Sequence, residues 1–298
     1  NWLARKTVFW KHRKTRILPR GNWQDTTGEE VSPAVPGFLP QPTSVSPDRT
    51  LTRLDLAEWL VSKENPLTAR HVVNRTWKLF FGTGLSSRLD DLGNQGEPPS
   101  HPELLDWLAD DFRRNGWDMK RLVRQMVTSH TYQQEAATRA DLIAIDPYNR
   151  LLGQQSARRL DAEFIRDHAL EVAGLLRREY VGGPSVFPYQ PPGYYAPINF
   201  PARKYPTQMD DRRLRRGLYM HWQRTFLHPM LVNFDAPGRE ECTAERLLSN
   251  SPQQALTLLN DPVFVEAAKA LAIRLQRELP EGSLDARIDR AFQLALAR

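Results

Sequence analysis

Val73, Trp77 and Phe81 recur at intervals of four residues, and Gly82 follows the last of them. That spacing puts three large side chains on one side of a helix, so Leu67 to Phe81 has to bury a stripe that includes two aromatic rings. The pattern repeats down the chain. Leu104, Leu108 and Phe112 precede Gly116, and Leu122, Val123, Met126 and Val127 follow Asp118, which is placed to cap the helix that carries them. Leu56 and Leu60 share a face of a shorter helix, expected to form a hairpin with the helix ending at Phe81. The expected fold class is mainly α: an irregular helical domain with long Gly/Pro/Tyr-rich loops and a short N-terminal β-hairpin or extended segment.

Local stop and start signals refine this. Ser100-His101-Pro102-Glu103 reads as a capping box, and Ser251-Pro252 and Asp261-Pro262 each place a cap residue before a proline at the first helical position. A long helix is expected from about Ala157 to Arg177 with Leu160, Phe164, Val172 and Leu175 inward, ending before Gly182-Gly183-Pro184. Residues 182 to 211 keep no period, and a loop that long usually carries function. Further on, Val265, Ala268, Ala272 and Leu275 are expected to face inward. A last helix capped by Ser283 carries Ile288, Ala291 and Ala295 and runs off the end, so the chain is expected to continue beyond residue 298.

Residues 1 to 50 differ in kind. Thr7-Val8-Phe9-Trp10 and Thr15-Arg16-Ile17-Leu18 are short strand candidates around a basic turn, and Pro33, Pro36, Pro40, Pro42 and Pro47 follow in an extended segment. The expected organisation is a basic, Pro-rich extension over 1–50 and a helical domain over 51–298.

The basic side of the chain is 33 Arg against 8 Lys, with a formal charge of +6. Arginine suits bidentate pairing with carboxylates or phosphates. Arg5 to Arg20 and Arg212-Arg213-Leu214-Arg215-Arg216 would be the nucleic-acid footprint, yet no recognition motif accompanies them and solvated, ion-paired surface is the preferred reading. Cys242 is the single cysteine, which excludes an internal disulfide framework. No apolar run approaches the roughly 20 residues of a membrane-spanning helix.

No Gly-x-Ser-x-Gly elbow, phosphate-cradling loop with Lys, His-Glu-x-x-His or haem-attachment pattern occurs. Chemistry therefore has to come from four polar segments. The loop Asp90 to His101 gathers oxygen ligands and one imidazole, with Asp90 and Asp91 as weak metal candidates and Asn94, Glu97 and His101 beside them. Arg158, Arg159, Asp161, Glu163, Arg166 and Asp167 either clamp an anion or form an ion-pair network between helices. Asp235, Arg239, Glu240, Glu241 and Arg246 offer carboxylates for acid and base work on a glycosidic bond. Tyr189, Gln190, Tyr194, Tyr195, Asn199, Phe200 and Tyr205 suit a sugar or peptide ligand, or anchor the loop to the core.

Taken in order, Leu56-Ala57-Glu58-Trp59-Leu60, Asn65-Pro66-Leu67-Thr68-Ala69-Arg70, Val73-Asn74-Arg75, Gly93-Asn94-Gln95-Gly96, Ser156 to Glu163, Gly182-Gly183-Pro184, Tyr189-Gln190-Pro191-Pro192-Gly193, Phe234-Asp235-Ala236-Pro237 and Leu259-Asn260-Asp261-Pro262 resemble the planctomycete proteins carrying the "domain of unknown function 1553". The resemblance implies a part of a larger periplasmic, cell-surface or secreted protein, with a c-type cytochrome domain as a partner and haem on that domain only. It raises the expectation that Asn94, Arg158, Arg159, Asp161, Arg166, Arg239, Tyr189 and Gln190 bind a ligand. The leading expectation is a binding or assembly module beside the cytochrome domain. The enzyme alternative is a hydrolase of complex, sulfated or neutral carbohydrate with Glu97, His101, Asp235 or Glu240 as acid and base. Nucleic-acid binding through the basic extension ranks last.

Overall fold

Burying the stripe of Val73, Trp77 and Phe81 organises everything around it. The computed structural model describes residues 14–42, 49–91, 93, 95–137, 140–194, 205–224 and 226–297. Among these the chain is mainly helical, with one two-stranded sheet near the N-terminus. Its contacts divide into two units, Asn1–Ser156 and Ala157–Arg298.

In the first unit, helices α1 (Arg53–Leu60), α2 (Thr68–Phe81), α3 (Pro102–Arg114), α4 (Met119–Val127) and α5 (Ala140–Ile145) follow a small sheet. Val73, Trp77 and Phe81 of α2 meet Leu105, Leu108 and Phe112 of α3 and Leu122 and Met126 of α4 in one apolar core. The Trp77 and Phe81 rings stack at 3.9 Å. Gly82 ends α2 at φ +84°, a backbone conformation that costs a side chain dearly. Asn74 is buried, and its amide works as a staple: Nδ2 donates to the Ser86 carbonyl at 2.8 Å and Oδ1 accepts the Ser86 N–H at 3.0 Å. Arg70 ties α2 to α3 through Asp106 at 2.5 Å.

Several local expectations are corrected. α2 packs most extensively on α3 rather than on α1, whose Leu56 and Leu60 stay exposed. The first helical residue of α3 is Pro102, so the cap position falls on His101 and Ser100 comes one residue too early. The Ser100 hydroxyl donates instead to the Leu85 carbonyl at 3.2 Å. A capping carboxylate operates at α1, where Asp55 accepts the Thr52 N–H and hydroxyl, each at 2.6 Å. Asp118 caps α4 as expected, accepting from Lys120 and Arg121 at 2.9 and 3.0 Å. The strand β1 (Thr15–Arg16) pairs antiparallel with β2 (Glu30–Val31), Thr15 opposite Val31. The other strand candidate, Thr7 to Trp10, lies outside the described residues.

In the second unit, α6 (Ala162–Val172), α7 (Pro229–Asn233), α8 (Pro252–Asn260), α9 (Pro262–Glu278) and α10 (Leu284–Leu296) enclose two smaller cores. Ala162, Met220, Met230, Leu231, Phe234 and Phe264 form one, and Leu170, Ala173, Leu214 and Ala267 the other. α6 is shorter than the expected helix and turned on its axis. Gly174, at φ +75°, ends it: the Gly174 N–H bonds the Glu171 carbonyl at 2.9 Å and the Leu175 N–H the Leu170 carbonyl at 2.8 Å, a glycine stop overlooked inside an apolar run. The buried residues are Ala162, Arg166, Leu170 and Val172, the last as expected, while Leu160 and Phe164 are exposed. On α9 the inward residues are Phe264 and Ala267, one position off the expected Val265 and Ala268. Proline at the start of α8 and α9 and Ser283 at the start of α10 stand as expected.

Candidate functional site

The second unit gathers polar groups from three stretches far apart in sequence. Residues 157–161 run extended into α6, and Arg159 uses that freedom to reach Asp235 Oδ2 at 2.5 Å and the Ser249 carbonyl. The Ser249 N–H and hydroxyl both donate to the Asp235 carboxylate at 2.8 Å, and Gln254 Nε2 donates to the Ser249 carbonyl at 3.1 Å. Asp235 lies just past α7 at φ +60°, a conformation that Asp and Asn tolerate better than most residues. Burial pushes its carboxyl up, and Arg159 with Ser249 outweighs that, so it stays below the ordinary value.

In the first turn of α6, Glu163 is gripped by both arms of Arg246, at 2.6 and 3.0 Å. Asp161 lies 3.5 Å from the same guanidinium. Burial raises the Glu163 carboxyl, but Arg246, aided by Arg239, leaves it below its usual value. Arg239, at φ +59°, lies over the Trp222 ring at 3.6 Å, while Trp222 Nε1 donates to the Pro237 carbonyl at 3.2 Å. Gly217 passes so close to Glu163 that a Cβ there would meet its backbone and Cβ at 2.9 Å.

Two arginines are interior. Arg166 is 1% exposed and donates to the carbonyls of Arg213 and Arg215 at 2.5 and 2.8 Å; burial brings its pKa down to about 10. Arg215 donates to the carbonyls of Tyr180, Pro184 and Gly182 and stacks 3.9 Å over Tyr219. The Gly182-Gly183-Pro184 stretch is therefore wound around a guanidinium.

The exposed side of α6 forms the floor of a groove of about 550 Å³. Phe164, Asp167, His168 and Glu171 recur at three- and four-residue spacing on that side, joined by Leu160, Leu176, Val181 and Tyr219 and by Arg178 and Arg216. Phe164 is 53% and Val181 79% exposed, an apolar surface no stripe on the far side of α6 accounts for. Asp167 accepts the Gly217 N–H at 2.6 Å, and burial lifts its carboxyl above the usual value against the pull of that bond and of Arg166.

The remaining candidates are dispersed. In the first unit, Glu97 accepts the Ser87 hydroxyl at 2.5 Å and Arg150 at 3.0 Å, which together hold its carboxyl low. His101 Nδ1 lies 3.0 Å from the Ser100 hydroxyl, and Asp91 closes a turn on the Gly93 N–H at 2.8 Å. Asp90 is exposed, and among the described residues no three His, Cys, Asp or Glu side chains are grouped to hold a metal ion. Asn94, Tyr195, Asn199 and Phe200 lie outside the described residues. In the second unit, Arg158 and Glu240 are exposed, and so is Cys242. Arg158 precedes α6, so it does not share a helical face with Arg166.

The Pro-rich loop turns its aromatics to structural use. Phe187 stacks on His221 at 4.3 Å, and the Tyr205 hydroxyl donates to the Pro188 carbonyl at 2.7 Å. The Met230 N–H donates to His228 Nδ1 at 3.2 Å, so Nε2 carries the hydrogen given to the Tyr189 carbonyl at 2.7 Å. Gln190 is buried with neither end of its amide hydrogen-bonded among the described residues. Neither His168 nor Glu171 stands out in the sequence, and Arg216 does so only as part of the basic run 212–216. Phe164, Asp167, His168 and Glu171 share a helical spacing, but of these the sequence places only Phe164 on a face, and that face is the inward one.

The fold and its polar sites define a mainly helical domain with arginine-organised loops and an open groove. The chain belongs to the family PSD1, described as "Protein of unknown function (DUF1553)", whose model matches residues 52–298. No curated protein and no solved structure matches it.

Proposed function

We propose that this domain is a binding module of a larger envelope protein and that the groove over α6 is its seat. The observation that supports this most is the exposed apolar floor of Leu160, Phe164 and Val181 inside a charged rim. Large apolar groups held in a concavity with a few polar groups are the usual makings of a ligand site.

The hydrolase reading has less behind it. A glycosidic general acid has to hold a proton near neutral pH. Of its candidates, Asp235 and Glu97 are both ion-paired and held below their ordinary values. The nucleic-acid reading weakens for a similar reason: within the basic run, Arg212 pairs with Asp210, Arg213 with Glu266, and Arg215 with carbonyls. By its basic, Pro-rich composition residues 1–50 are an extension ahead of the domain; by the family resemblance the location is periplasmic, cell-surface or secreted, and the working neighbour is a c-type cytochrome domain that carries the haem.

The test is thermal unfolding against calcium, zinc, heparin, neutral and sulfated oligosaccharides, and small apolar anions, since a ligand that favours the folded state raises the midpoint. A shift lost in Phe164→Ser supports the groove. A shift given only by oligosaccharides and lost in Glu97→Gln or Asp235→Asn overturns this reading in favour of the hydrolase.

A further inference from the structure

The rim of the groove holds four charged side chains and one imidazole, and their partners decide which charge is left over. Glu171 is matched by Arg178, whose Nη2 and Nε lie 2.7 and 3.1 Å from its two oxygens. Asp167 takes the Gly217 N–H and lies 3.5 Å from the buried Arg166. His168 Nε2 lies 3.0 Å from the Ala295 carbonyl, which fixes the hydrogen on that nitrogen.

Arg216 is different. It is exposed and lines the groove, and its guanidinium has no hydrogen bond or ion pair among the described residues; its field reaches Asp167, which lies 3.5 Å from Arg166. The charges of the lining balance, but with Asp167 beside the buried Arg166 and Glu171 held by Arg178, Arg216 is the guanidinium left without a close carboxylate beside the apolar floor. A guanidinium in that position offers its fork to a carboxylate, sulfonate or phosphate.

Resting on the binding reading above, we propose that the groove takes a small amphiphilic anion, with an aliphatic or aromatic body on Leu160, Phe164 and Val181 and its anionic group on Arg216. The size agrees: about 550 Å³ holds one small organic molecule. The polarity agrees as well. A cationic amphiphile would find Glu171 and Asp167 already beside arginines and Arg216 opposing it, and a neutral one would gain nothing from that guanidinium.

The experiment is a fluorescence titration of 1-anilinonaphthalene-8-sulfonate into the whole chain, followed by displacement with octanoate, octanol, octylamine and a blocked Phe-Leu-Glu tripeptide. The expected result is displacement by octanoate, with octylamine ineffective, and binding of octanoate weakened about tenfold in Arg216→Gln while octanol is unchanged. Both Phe164 and Arg216 are exposed, so unaltered circular dichroism spectra are expected for their variants. Equal displacement by octanoate and octanol, indifferent to Arg216→Gln, overturns the anion assignment and leaves the groove as a binding seat. Displacement by the tripeptide alone overturns the small-molecule assignment. A probe signal that is absent, or unaltered by Phe164→Ser, overturns the groove itself and the binding reading with it.

Discussion

Both units have apolar cores, but the second adds buried arginines to its own. The first buries Val73, Trp77, Phe81, Leu108 and Phe112 against one another, an interior of helix faces. The second buries Arg166 and Arg215 and lets their guanidinium groups collect the carbonyls of loops that have no regular structure. An apolar interior needs only the right faces turned inward. An arginine interior needs particular carbonyls brought to particular nitrogens, because a buried charge without partners is costly. The second arrangement gives a domain rich in irregular segments fixed internal points, and it frees one side of α6 to face solvent.

The largest effects should come from the centre of each interior. Trp77→Ala is expected to cost about 3–5 kcal/mol in denaturant unfolding, the usual range for emptying a packed aromatic site. Arg166→Met keeps volume and removes charge, and is expected to cost about 3 kcal/mol because the Arg213 and Arg215 carbonyls lose their donors. A Met variant as stable as the parent would erase the contrast between the two interiors.

Acid sharpens the contrast next. Glu163 and Asp235 are held below their ordinary values of 4.5 and 3.8, so the unfolded chain binds their protons first as pH falls. Their contribution is complete above those values and is lost as pH drops through the lower, folded ones. Asp167, raised by burial, works in the opposite sense and partly offsets them. Midpoints measured between pH 7 and pH 3 should fall more steeply for the parent than for a Glu163→Gln, Asp235→Asn double variant. Parallel curves would mean that these pairs add nothing that depends on charge. The smallest effect is local: Asp118→Ala, which removes the cap of α4, is expected to cost about 1 kcal/mol, as such caps usually do.

The fold class, helices α1 to α4 and most helix starts are legible in the sequence alone. Three-to-four-residue apolar spacing, Gly82, Asp118 and the prolines at 252 and 262 act within a turn or two of chain, where local sterics and hydrogen bonds decide the outcome. The sequence also marked Arg159, Glu163, Asp235 and Arg246 as polar groups of interest, but it had no means of pairing them across 76 and 83 residues. Tertiary structure decided those pairs, and with them which way α6 faces. Counting apolar residues turned Phe164 inward; the carbonyls of Arg213 and Arg215 drew Arg166 in instead, and the helix rotated with it. The physical reason is range. Periodicity reports the neighbours a residue has on its own element, whereas a buried guanidinium answers to carbonyls supplied by loops nearly 50 residues away, and no local pattern records where those loops return.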